Sequence, residues 1–450
     1  MTALALGPLG GRSRRHSASL PNGARVAWIG DSVLQFNHQN SSATNSALAS
    51  QSKGEVVSAQ MIDPRFRCDV WISNDTRATR MFSGANQGLS GDTIGAPGPS
   101  ADPNGMVSRL ATDILPLQPD ICIVACGTNN LAAANNLAGL QATCLALMQH
   151  FIRPVLCTVR PWPSTYTGRS TADQQAMLTL NGQIRSFAAA NPGITLCDLA
   201  AAYGCPGPAW SFGPTSYFNA NDLHPSQQGA YIAGKALSTV MAGLIAPGNW
   251  FVNTYWASGT NLLPPAQAIF SGGTSGGKAY QTSGNVPTGC NIYSNTQSTN
   301  VVSLLANPVT GGNSVVMTIS SVGNATYEFW PINLANAPIA SPGTYVFGLA
   351  EIEFDVWQAW GGATFQLAEI PGSANQTTYG MAVGTPVPIV PDQGRRWLIT
   401  PPLKLDSTAT AVSPQITVYN LPGTATGSGV FKIHRWGVFP VADPHGAWHS

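Results

Sequence analysis

Four short motifs hold residue types that together can carry out acyl transfer. Gly30-Asp31-Ser32 follows the apolar run at 25–29 and precedes a segment of helical character, which places Ser32 at the carboxyl end of a strand. A helix N-terminus there offers backbone N–H groups and partial positive charge to a developing oxyanion. A plain strand-to-helix turn capped by Asp31 or Ser32 accounts for the tripeptide equally well when it is taken alone. Asn86-Gln87-Gly88-Leu89-Ser90-Gly91-Asp92-Thr93 is a Gly-rich loop in which backbone can approach a ligand closely. Gly127-Thr128-Asn129-Asn130 closes the apolar run at 121–125 and delivers a carboxamide N–H, worth about 2.7 to 4 kcal/mol at an acyl-transfer site when aimed at the oxyanion. Asn221-Asp222-Leu223-His224-Pro225-Ser226 sets a histidine beside an acid, the pairing needed to take a serine proton and return it to a leaving group. Such chemistry requires no metal and no organic cofactor.

For these motifs to meet, the chain must bring distant segments to one edge of a sheet. Apolar strand-like runs at 25–29, 80–83, 121–125, 154–159 and 194–198 alternate with helical stretches after Ser32 and at about 104–116, 133–151, 171–190 and 226–245. That alternation predicts an α/β fold of flavodoxin-like type, a parallel sheet between two helical layers. After Pro247 the texture changes to short β-prone runs such as SVVMTISSV, EIEFDVW and VFKIHRWGVFPV, separated by Gly, Pro, Asn and Ser clusters. These predict an all-β sandwich of jelly-roll type. The expected division is an N-terminal arm at 1–24, an α/β domain at 25–247 and a β-sandwich at 248–450.

Only 9% of the 450 residues are charged and the formal net charge is +1. Nucleic-acid partners and anionic membranes need clustered Lys and Arg, so neither is expected. No uncharged apolar run reaches the ~18 residues of a membrane span, so membrane insertion is not expected either. The eight cysteines have no metal-type spacing, and Cys197 and Cys205 are the close pair to examine for a disulfide. In the Gly- and Arg-rich arm the apolar stretch precedes the arginines, the reverse of an export signal; a neighbouring chain in an assembly is one candidate partner for the arm.

With GDS, the SGDT-containing loop, GTNN and a late His-Pro in this order, residues 25–245 resemble the SGNH (GDSL-like) serine hydrolases. The segment DPRFRCDVW at 63–71 also looks like that family. The resemblance implies Ser32 as nucleophile, an oxyanion hole built from the N–H groups of Ser32 and Gly91 with the side chain of Asn129, and His224 as base. The family usually places its acid three residues before the histidine; here that position is Asn221, and Asp222 lies two before. The group that orients His224 is therefore Asp222, Asn221 as a substitute, or a backbone carbonyl.

Arg160, Trp162 and Tyr166 follow the run at 154–159 and are candidate substrate contacts. The second half carries Trp250, Trp256, Trp330, Trp357, Trp360, Trp397 and Trp436, which either pack a core or stack sugar rings. An esterase joined to a jelly roll resembles carbohydrate-active enzymes, and no lipase-like apolar groove is evident. The expected function is hydrolysis of small acyl esters, acetyl first, on a polysaccharide. Two alternatives are a glycan-binding virion or cell-surface fibre with weak or no activity, and a lipase or thioesterase. The expected location is extracellular or on a particle surface.

Overall fold

The computed structural model describes residues 19–35, 55–67, 86–89, 91–96, 105–219, 221–250, 252–256, 259–273, 277–279, 282–294, 298–321, 329–334, 337–338, 342–355, 360–370, 376–380, 392–400, 403–420 and 427–441. The strand expected at 80–83 and most of the N-terminal arm lie outside them.

The first half is built on β1 (Ala24–Gly30), β2 (Phe66–Arg67), β3 (Asn86–Gly88), β4 (Ile121–Ala125), β5 (Arg153–Cys157) and β6 (Thr195–Cys197). All pair in parallel. β2 and β3 lie along successive parts of one edge of β1, and β4, β5 and β6 follow on the other, so the expected α/β sheet is present. Its apolar runs are buried: every residue of β5 is buried, as are four of the five in β4. Such strands take Val, Ile, Leu and Cys because both faces are covered.

The helices are α1 (Ser32–Gln35), α2 (Glu55–Ile62), α3 (Met106–Arg109), α4 (Asn136–Gln149), α5 (Thr171–Ala190), α6 (Leu199–Ala202) and α7 (Gln227–Leu244). The long helix expected at 104–116 is instead α3 followed by a π turn at Leu110–Ile114 and a 3₁₀ turn at Leu115–Leu117. Pro116 cannot donate the bond that a continuing α-helix needs. Helix α2 has no counterpart in the sequence reading. Its described side chains are almost all buried, so it carries no polar stripe to reveal a helical period. It packs closely on α7, where a Cβ on Gly234 would stand 2.5 Å from the Cβ of Ser58.

The second half contains two largely antiparallel sheets. One orders Gly394–Ile399, Tyr345–Asp355, Gly427–Val441, Gly312–Ser321, Thr299–Asn307 and Thr282–Gly284; the other orders Gln376–Gly380, Trp360–Ile370, Ala411–Asn420, Phe329–Leu334, Cys290–Tyr293 and Lys278–Ala279. Trp360, Trp397 and Trp436 are buried, and Trp250 and Trp256 are half-buried against Phe347, Phe439 and their neighbours. For these five, packing is the role that the structure gives. Trp357 and the side chain of Trp330 lie outside the described residues.

The two halves share a core. Met61 from α2 and Tyr231 from α7 belong to the apolar cluster of the β-rich half, with Ile352, Leu398 and Val438. The Tyr231 hydroxyl accepts from Arg396 Nε at 3.0 Å and Nη2 at 2.8 Å. Cys197 and Cys205, the pair to examine for a disulfide, are buried free thiols, and the β5–β6 register sets Cys197 beside Cys157.

Candidate active site

Strand β1 ends at Gly30, whose lack of a side chain is a packing requirement: a Cβ there would stand 2.0 Å from the carbonyl oxygen of Ala125 on β4. Asp31 turns inward and is buried. Its Oδ1 accepts from the Val33 N–H at 3.0 Å and its Oδ2 from the Thr128 N–H at 3.2 Å, tying the Ser32 turn to the loop after β4. Burial raises the Asp31 carboxyl above its ordinary value despite these bonds. Asp31 thus braces the turn and takes no part in the hydrogen bonds of His224.

The loop after β3 joins the same edge. The Leu89 N–H donates to Gly30 O at 2.9 Å, Gly91 is exposed with a φ of 74°, and the Asp92 N–H donates to Leu89 O at 3.1 Å. Asn129 Nδ2 donates to Asp92 O at 2.8 Å. A carboxamide nitrogen carries two hydrogens, so one N–H fixes Asn129 to the Gly91 loop and the second remains for a ligand.

His224 sits in a tightly bonded loop before α7. The Asn219 N–H donates to His224 O at 3.0 Å, the Ser226 N–H donates to Tyr217 O at 2.9 Å, and Ser226 Oγ caps α7 by accepting from the Gly229 N–H. The imidazole bridges two partners: Nε2 lies 3.0 Å from Ser32 Oγ, and Nδ1 lies 2.9 and 3.0 Å from the two carboxylate oxygens of Asp222. An ionised carboxylate only accepts, so Nδ1 carries the hydrogen and Nε2 is the free base facing the serine hydroxyl. Burial disfavours the Asp222 charge, but the hydrogen bonds that its carboxylate accepts from His224 and from the Leu223 N–H outweigh it and hold the carboxyl below its ordinary value.

Of the three groups left open by the sequence, Asp222 is the one whose side chain meets His224 Nδ1. Asn221 is exposed and has a φ of 55°, a left-handed conformation that Asn tolerates better than most residues. It is a turn residue.

Beside Ser32 a cleft is lined by Val33, Thr128, the run Arg160-Pro161-Trp162, Arg169 and Leu223. Arg160 is mostly buried, pairs with Glu55 of α2 and lies over the Tyr203 ring, 5.8 Å from its centroid. Burial works against its charge, but the Glu55 carboxylate more than compensates and raises the guanidinium above its ordinary value. Trp162 packs against Trp210 with ring centroids 4.5 Å apart. Tyr166 does not join the cleft lining; it is half-buried on the apolar core beside Gly168. Two buried charges, Glu55 and Arg109, were not among the sequence candidates. Their signal was the scarcity of charge itself, which makes any carboxylate or guanidinium in an apolar context noteworthy.

The model of the GDSL-like lipase/acylhydrolase family matches residues 29–232. That stretch is a GDSL-like lipase/acylhydrolase domain. The GDSL-like domain therefore spans every residue of the site just described, from Ser32 to His224. Solved structures similar to this chain include an acetyl xylan esterase from Geobacillus stearothermophilus, at 15% identity over 50% of this chain and 97% of that one, with a TM-score of 0.34. A protein of the G-D-S-L family from Desulfitobacterium hafniense DCB-2 is 18% identical over 48% of this chain and 99% of its own, with a TM-score of 0.33. No curated protein matches the sequence.

Proposed function

We propose that the chain is a serine esterase that removes small acyl groups, acetyl first, from a polysaccharide. One observation carries the esterase reading: the Ser32 hydroxyl, the His224 ring and the Asp222 carboxylate stand in hydrogen-bonded sequence at 3.0 and 2.9 Å. In the reaction His224 Nε2 takes the hydroxyl proton as Ser32 Oγ attacks the ester carbonyl. The N–H groups of Ser32 and Gly91 and the free N–H of Asn129 receive the oxyanion. Its collapse expels the sugar alkoxide, which takes the proton back from His224, and a water activated by the same ring then releases the acid and restores Ser32.

Support for a small acyl group and a hydroxylated alcohol comes from the described lining of the cleft. Thr128, Arg160 and Arg169 offer polar groups beside the nucleophile, and Trp162 offers an apolar surface. Such a mixed polar and apolar lining suits a small acyl group on a hydroxylated alcohol better than a long alkyl chain, which needs a continuous apolar surface.

The test compares the protein with Ser32→Ala for p-nitrophenol release from short- and long-chain esters and for acetate release from acetylated polysaccharides. Acetate release that vanishes in the variant supports the proposal. Turnover confined to long acyl chains would replace it with a lipase, and no turnover on any ester would remove the esterase reading.

A further inference from the structure

We infer that Arg109 is a positioning residue for the oxyanion pocket, its guanidinium setting the spacing between the turn that carries Ser32 and the loop that carries Gly91. The inference rests on the esterase reading of that pocket. Arg109 closes α3, is 5% exposed, does not line the cleft and directs its hydrogen bonds to residues other than Ser32.

Its five N–H groups are all engaged, and each partner matters. Nη2 donates to Gly30 O at 3.2 Å and to Asp92 Oδ2, and Nε donates to Asp92 Oδ2 at 3.1 Å. Nη1 donates to Gln87 O at 3.0 Å and to Asp113 Oδ2 at 2.8 Å. Gly30 is two residues before the nucleophile, and Gln87 and Asp92 stand on either side of Gly91. Asp92 in turn presents the carbonyl that holds Asn129. One planar cation thus connects all three sources of the oxyanion hole.

A guanidinium is the side chain that can do this. Five donors in a rigid fork fix two backbone carbonyls and two carboxylates at once, whereas a lysine ammonium presents three donors from one point. Oxyanion donors act only when held at the right place before the charge develops, so a shift of the Gly91 loop relative to Ser32 lowers turnover without weakening ground-state binding.

The test uses Arg109→Ala and Arg109→Lys in the full chain, assayed on p-nitrophenyl acetate beside the unaltered protein, with folding followed by circular dichroism. For the folded Ala variant kcat is expected to fall about 100-fold, the loss typical of a displaced oxyanion donor, with KM little changed. Added guanidinium chloride at low millimolar concentration should restore at least part of that loss in the Ala variant, while urea should not. Arg109→Lys keeps the buried charge; it should stay folded, lose kcat and show faster amide hydrogen exchange at Leu89 and Asp92. If either folded variant retains full kcat, or loses only KM, Arg109 is not a positioning residue. Should Arg109→Ala not fold, the Lys variant decides by the same criteria. An unaltered protein with no ester turnover would count against the esterase reading instead, and unchanged exchange at Leu89 and Asp92 in Arg109→Lys would then still overturn the role of Arg109.

Discussion

Asp222 meets the imidazole of His224 from only two residues away, with both carboxylate oxygens within 3.0 Å of Nδ1. The short loop reaches because Asn221 takes a left-handed turn just before it. Asp222→Asn is expected to lower kcat on p-nitrophenyl acetate by about 10² to 10⁴, since an amide can hold the wrong tautomer and does not balance the imidazolium charge. The carboxylate is 39% exposed, so solvent softens the loss and the lower half of that range is expected. Asn221→Gly should leave kcat unchanged, because glycine adopts the same backbone conformation freely.

Trp162 should limit the acyl chains that fit. Trp162→Ala would remove a buried indole from the cleft wall, raise turnover on longer p-nitrophenyl esters relative to acetate, and cost about 3 to 5 kcal/mol of stability in urea unfolding. Trp162→Phe keeps most of the packing on Trp210 and should shift chain-length preference in the same direction by less.

Stability near neutral pH should carry the signature of Asp92. Burial pushes its carboxyl from 3.8 up to about 7, against the pull of Arg109. The folded chain then holds a proton that the unfolded chain has released, so this group makes stability fall as pH rises from about 4 to about 7, by at most about 1.4 kcal/mol per pH unit. Asp31 and Glu55, also raised by burial, contribute with the same sign. Asp92→Asn should narrow the difference between urea midpoints at pH 5 and pH 7.

The contact between the halves makes a separate prediction. Tyr231→Phe removes the oxygen that accepts two bonds from Arg396, itself 8% exposed. Leaving those donors buried without an acceptor costs about 1 to 3 kcal/mol. A lowered Tm with kcat unchanged at 25 °C is the expected outcome of differential scanning fluorimetry combined with an ester assay.

Much of this site was legible in the sequence because strand ends are where short motifs and fold geometry coincide. Ser32, Gly91, Asn129 and His224 each follow a recognisable apolar run or precede a recognisable helix. Asp222 could not be chosen over Asn221 from spacing, because the deciding quantity is a backbone torsion that sequence distance does not encode. Arg109 was missed for a related reason: two of its four partners are the carbonyls of Gly30 and Gln87, which leave no trace in residue identity, and its link to Asp92 depends on the fold and not on spacing. Helix α2, which supplies Glu55, was missed because burial on several sides erased the periodicity that marks a helix. Of the two roles left open for tryptophans of the β-rich half, core packing and sugar stacking, Trp360, Trp397 and Trp436 take packing.

The change of texture after Pro247 reads as a seam in the sequence, yet Met61 and Tyr231 cross it in space and are buried among side chains of the other half. Such a chain is a poor subject for exchange of parts. A recombination event that swapped the β-rich half for an unrelated module would leave apolar area facing water on α2 and α7, the helices that hold Glu55 and follow His224. Descent should therefore have kept the two halves as one heritable unit, with substitutions at Met61, Tyr231 and Arg396 tending to occur together.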